Sequence, residues 1–148
     1  MELVIKPFEQ LTVRELYDIL TLRVNVFVVE QNCPYAELDG KDPFALHLYL
    51  RDQEGIQAYL RVMDRGVAGE YVTIGRVVTA RRGLGLGDQI LRAGIQAARE
   101  RFHADCIYLE AQTYAKGFYA RQGFRQISEE FMMDGIPHVE MLLTAENP

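Results

Sequence analysis

The sequence predicts a mixed α/β (α+β) fold: a mostly antiparallel central sheet of about seven strands with helices on both faces. Three observations predict it. The elements run β, α, three β, α, β, α, β, β, and the three consecutive strands are joined by short turns, which makes them antiparallel. The second helix then lies between two apolar strands, and such a crossover makes its strands parallel. The length, 148 residues, suits one domain over residues 1–148 with a sizeable core, and no repeat, linker or low-complexity tract divides it.

The elements are justified in order. Residues 2–6 (ELVIK) form a short strand closed by Pro7. From Thr12 to about Val29 the pattern is helical, with Leu16, Leu20, Val24 and Phe27 on one apolar stripe. Thr12 and Glu15 make a capping-box pattern at its start. Residues 30–43 carry two prolines, Gly40 and several acids, and read as a loop. In FALHLYLR (44–51), Phe44, Leu46, Leu48 and Leu50 alternate with Ala45, His47, Tyr49 and Arg51. Glu54-Gly55 is a hairpin turn, and IQAYLRVM (56–63) places Ile56, Ala58, Leu60 and Val62 on one face. After a turn at 65–69, YVTIGRVVT (71–79) is the third strand. Residues 86–102 form a helix with Ile90, Leu91, Gly94, Ile95 and Ala98 inward and Asp88, Arg92, Gln96 and Arg99 outward. CIYLEAQ (106–112) is a strand, and 113–121 is a short helix ended by Gly123. FRQISEEFMM (124–133) and HVEMLLT (138–144) are two strands across a turn at 134–137.

Composition mainly excludes. With 16 basic and 21 acidic residues the net charge is −5, which argues against a nucleic-acid partner, since neutralising phosphates needs a basic face. No apolar run approaches the about 18 residues of a membrane span. The N-terminus lacks a basic start followed by an apolar stretch. A cytoplasmic protein with no membrane partner is expected. Cys33 and Cys106 match neither a zinc spacing nor a disulfide framework, and no metal is expected.

Glycine is informative. Three of the 12 glycines, Gly83, Gly85 and Gly87, fall within ARRGLGLGD, between a strand ending near Thr79 and a helix starting near Leu86. A strand, a glycine-rich turn and a helix N-terminus form an anion site, because the first helical N–H groups lack partners and the dipole favours negative charge. Arg81 or Arg82 adds a charge-assisted contact. The Rossmann fingerprint fails because its third glycine place falls on Asp88. The P-loop fails because the motif has no lysine.

What remains, Arg82-Gly83-Leu84-Gly85-Leu86-Gly87 (R-x-x-G-x-G), resembles the pyrophosphate loop of GCN5-related N-acetyltransferases (GNAT), and GFYARQGF (117–124) resembles that family's F-Y-x-x-x-G-F segment. LRVNVFVVEQNCPYAELDGKD (22–42) and DGIPHVEM (134–141) resemble the ElaA-like branch, so the resemblance covers nearly the whole chain. It implies the GNAT fold, acetyl-CoA as co-substrate, and direct attack on the thioester by a primary amine of a small molecule or peptide. It places Arg82, Gly83, Leu84, Gly85, Leu86, Gly87 and Asp88 at the pyrophosphate. It places the backbone of Val77, Val78 and Thr79 at the pantetheine, on a strand splayed from CIYLEAQ, with a donor near Val78 for the thioester oxygen. Tyr119 occupies the position of the acid that protonates the leaving thiolate, with Tyr114 as a substitute.

The general base is open among His47, Glu30 and Glu110. Glu110, mid-strand between Tyr108 and Gln112, is expected to be buried with a raised pKa, or paired with Arg76. Arg23, Phe27, Gln31 and Glu110 are the candidate acceptor contacts, Arg23 through a substrate carboxylate or through Glu30. The acids Glu37, Asp39 and Asp42 of the loop at 30–43 suit a cationic acceptor. Cys33 is read as inert, His103 as a helix-end residue and His138 as a strand-edge residue. A homodimer is the expected assembly. Two other functions stay open. One is a coenzyme A-binding sensor or interaction module without turnover. The other is an acyl-homoserine lactone synthase-like acyltransferase, suggested by R-x-x-V-F at 23–27.

Overall fold

The computed structural model describes residues 1–145. The elements are β1 (Glu2–Pro7), α1 (Val13–Arg23), β2 (Ala45–Asp52), β3 (Gly55–Met63), β4 (Val72–Thr79), α2 (Leu86–Phe102), β5 (Cys106–Gln112), α3 (Lys116–Ala120), β6 (Arg125–Gln126), β7 (Phe131–Met133) and β8 (Ile136–Thr144). The strands form one sheet in the order β1-β2-β3-β4-β5-β8-β6, with β7 also on β8. Every pairing is antiparallel except β4 with β5. Among the described residues no helix is long and apolar enough to cross a membrane.

The helices cover opposite faces. Ile90, Leu91, Ile95 and Ala98 of α2 pack on Leu46, Leu48, Leu60, Val62 and Ile74. Gly94 permits this approach, since a Cβ there would stand 2.8 Å from Leu60. On the other face, Ile19 of α1 packs with Val4, Tyr49, Tyr59 and Val78. The capping box forms: Thr12 Oγ1 accepts from the Glu15 amide at 3.0 Å, and Glu15 Oε1 accepts from the Thr12 amide at 2.8 Å. Burial opposes ionisation of Glu15, but the Thr12 amide, the Tyr49 hydroxyl and Lys6 hold its pKa down at about 2.

Several expectations shift. The first helix does not continue regularly to Val29. After Arg23 it widens into π-helical turns over Val24–Glu30, with Gln31 and Cys33 donating five residues back. Its inward stripe runs through Ile19, Leu22, Val26 and Phe27 rather than Leu16 and Leu20, and it includes Arg23, which is fully buried. Phe44 lies exposed in a short turn ahead of β2 instead of on its apolar face. Ile56 packs on the α1 side because Gln57 is an extra residue in the β2–β3 register, and a one-residue slip reverses the face. The sheet has eight strands, since FRQISEEFMM splits in two. Ser128 Oγ accepts the Glu140 amide at 2.9 Å, so a side chain replaces the backbone partner that a continuous strand would supply.

Candidate active site

The site begins where the parallel pairing ends. β4 and β5 pair only at Val72 with Ile107 and Thr73 with Tyr108. Beyond that point they separate, and a cleft of about 1780 Å³ opens between them. The glycine loop, Tyr119, Glu30, Tyr35, Glu110 and His138 all line it.

The β4 edge facing the cleft can be assigned from the backbone. The Ala80 amide donates to Gln57 on the β3 side at 2.9 Å, and Val78 pairs with Tyr59 on that same side. Alternate residues of a strand turn their amides to opposite sides, so Val77 and Thr79 point theirs toward the cleft. The expected donor near Val78 is thereby narrowed to its two neighbours, since Val78 itself faces β3. A bulge just before them, one extra residue on β4 opposite β3, holds Arg76 at φ +55° and turns its side chain toward the loop at 30–43.

The glycine loop is built as an anion cradle. Gly83 and Gly85 adopt φ of +80° and +72°, and a Cβ on either would meet nothing within 4 Å, so both backbones border open space. Gly85 directly precedes α2, whose first amides, at Leu86, Gly87 and Asp88, have no helical carbonyl to bond. A Cβ at Gly87 would press on Phe118 at 3.0 Å, so that glycine serves the contact between α2 and α3. The Asp88 carboxylate is engaged by Arg121 at 3.5 Å and Gln122 at 3.4 Å, which leaves its amide for a ligand. Arg82 bridges to Glu30 at 3.0 Å. The unsatisfied amides and the open space over two glycines fit the diphosphate of a coenzyme A thioester.

Tyr119 packs edge-on against Phe118, with ring centroids 4.9 Å apart, and against Phe124. Burial pushes its phenol above the ordinary range, with Tyr114 adding to the rise. Phe27 lines the cleft, and Gln31 does so while its amide pairs with that of Gln112 at 3.1 Å.

Other candidates lie elsewhere or are engaged. His47 is fully buried outside the cleft, with Nδ1 2.7 Å from the Tyr59 hydroxyl and Nε2 2.9 Å from the Asp42 carbonyl. Burial also lowers its pKa. Both ring nitrogens being occupied, His47 is corrected from base to structural residue. Arg23 does not line the cleft and does not pair with Glu30. It pairs with Glu37 at 2.6 Å and Asp42 at 2.7 Å. Nor are the loop acids open to a cationic acceptor. Arg61 binds Asp39 at 2.5 Å and Asp42 at 2.8 Å, and Arg76 binds Glu37 at 2.9 Å. Three arginines and three carboxylates thus neutralise one another and fasten the loop to α1, β3 and β4. Glu110 is exposed rather than buried, and its neighbour is the Tyr108 hydroxyl at 3.1 Å, not Arg76.

Sequence reasoning passed over Arg61 and Glu140 and read His138 as a strand-edge residue, whereas it has Gln112 on one side and Phe131 on the other. The available signal was a charged residue inside an apolar strand, as Arg61 and Glu140 are. Which partner each would meet depends on register.

These features define an acyl-CoA N-acyltransferase architecture, and comparison places the chain within it. A family model described as an acetyltransferase (GNAT) domain matches residues 20–145, so the chain belongs to the GNAT acetyltransferase family. Its relatives there carry the names ElaA and UPF0039. A UPF0039 protein of Schizosaccharomyces pombe is 41% identical, over 97% of each chain. The crystal structure of an acyl-CoA N-acyltransferase from Pseudomonas aeruginosa superposes with a TM-score of 0.91 at 38% identity, covering 97% of this chain and 100% of that one. Escherichia coli ElaA superposes at 0.89 with 34% identity, covering 96% and 98%.

Proposed function

We propose that the protein is a cytoplasmic, acetyl-CoA-dependent N-acetyltransferase that modifies a primary amine of a small molecule or peptide by direct attack. The observation that carries this reading is the opening between β4 and β5, which joins the glycine cradle to Tyr119 in one cleft. Bound acetyl-CoA supplies an activated thioester whose departing sulfur needs a proton. The amides at Leu86, Gly87 and Asp88 hold the diphosphate at the α2 N-terminus, where the dipole adds to each hydrogen bond. Val77 and Thr79 offer strand-edge amides to the pantetheine, as an added strand would use them. One of those amides also donates to the thioester oxygen as charge develops on it. Tyr119, its phenol raised by burial, keeps its proton through the neutral range and gives it to the sulfur.

Free-thiol release tests this with a panel of polyamines, amino acids, aminoglycosides and peptides. Release with one class names the acceptor. An acetyl-CoA thermal shift without release from any amine favours the sensor reading instead. Tyr119→Phe is expected to lower kcat by about 100-fold while leaving the acetyl-CoA thermal shift intact. Unchanged turnover would move the acid role to Tyr114 or to water.

A further inference from the structure

The destination of the acceptor's proton can be narrowed from the cleft wall. Glu30 is bridged to Arg82, the acids of the loop at 30–43 are neutralised by arginines, and His47 lies outside. His138, on β8, differs from all of these. It lines the cleft and is only 8% exposed. Its Nδ1 lies 2.7 Å from the Ile136 carbonyl oxygen. A carbonyl only accepts, so Nδ1 carries the hydrogen and Nε2 keeps its lone pair. Among the described residues no group hydrogen-bonds that Nε2. The Phe131 ring, 6.1 Å away and tilted 29°, stacks on the imidazole and fixes its plane.

The surroundings suit a proton acceptor. On β8, residues 138, 140 and 142 share one face, and residues 112, 110 and 108 of β5 pair with them. Glu110 therefore stands directly opposite Glu140, next to the Gln112–His138 pair. Among the described residues neither glutamate has an ion-pair partner. Tyr108 donates to Glu140 at 2.6 Å. Like charges so placed repel, and a positive imidazolium beside them relieves that repulsion.

We propose, resting on the acetyltransferase reading, that His138 is the general base of the transfer. The amine lone pair forms the C–N bond, and one N–H proton passes to His138 Nε2. The C–S bond breaks with its electron pair on sulfur, which takes the Tyr119 proton. A proton then returns from the imidazolium to the phenolate through solvent, and both groups are reset. Glu110 and Glu140 stand one register step away on the same face.

Two measurements decide it. Two-bond ¹H–¹⁵N NMR of the free protein is expected to show His138 as the Nδ1–H tautomer; an Nε2–H tautomer overturns the proposal. In turnover, His138→Gln is expected to lose about 100-fold or more in kcat with its acetyl-CoA thermal shift unchanged, and added imidazole is expected to restore turnover to His138→Ala. His138→Gln within about threefold of wild type overturns the assignment alone. A folded His138→Ala that imidazole fails to rescue also overturns it. A wild type that releases no thiol with any amine overturns the acetyltransferase reading, and this one with it.

Discussion

Gly85→Asp is expected to abolish the thermal stabilisation expected from acetyl-CoA in the wild-type protein. At a ligand concentration about 100 times Kd, the wild type gains about 2.7 kcal/mol, or roughly 5–10 °C in a chain of this size. The substitution sets a carboxylate immediately before α2, with nothing within 4 Å of its Cβ. There it occupies the space over the free amides and repels a diphosphate. The fold itself should tolerate the change. Aspartate is a favoured residue at a helix start and one of the few that visit positive φ. Scanning fluorimetry with and without millimolar acetyl-CoA separates the two effects. An undiminished shift in a folded variant would remove the cradle from the binding site.

Asp42→Ala is expected to cost about 3–5 kcal/mol of stability, or roughly 6–20 °C in Tm. Asp42 accepts from Arg23 at 2.7 Å and from Arg61 at 2.8 Å, and both guanidiniums are buried. Removing the shared carboxylate leaves two buried charges under-compensated. Urea unfolding measures the loss, and a change below about 1 kcal/mol would mean the network contributes orientation alone.

The same carboxylates shape the acid response. Burial works against their ionisation, yet Arg61 lowers Asp39, and Arg23 with Arg61 lowers Asp42, below the usual range. Glu15 falls from 4.5 to about 2. A depressed folded-state pKa adds stability that is complete above the unfolded-state value and drains as pH falls through the folded one. Tm is therefore expected to be level above about pH 5 and to fall steadily toward about pH 2. A level Tm across that interval would contradict the pairing described.

The local elements were readable because their signals are local. The capping box at Thr12 and Glu15, the span of β5 and the inward face of α2 rest on neighbours a few residues apart. The glycine cradle was readable for the same reason, since a strand end, a tight turn and a helix start are consecutive in the chain. Register effects were not readable. Gln57 turns Ile56 to the other face, Arg76 is re-aimed by a bulge, and Ser128 divides one expected strand into two. Each depends on how many residues of a distant strand stand opposite.

Charged side chains divide in the same way. Arg23, Glu37, Asp39 and Asp42 read in sequence as contacts for an acceptor; that they satisfy one another with Arg61 and Arg76 was not visible. A buried charge is decided by whatever partner the fold brings within about 3 Å, and residues 23, 61 and 76 lie on three different elements.

By itself, then, the sequence determined the element types, the glycine loop ahead of α2 and the family, all carried by short contiguous patterns. Tertiary structure alone decided which ionisable groups remain free in the cleft. It withdrew His47, Arg23 and the loop acids into internal pairs and left Glu110, Glu140 and His138 at the wall. The physical reason is that a side chain's chemistry is set by its solvation and its partners, and both are fixed only when distant strands come together.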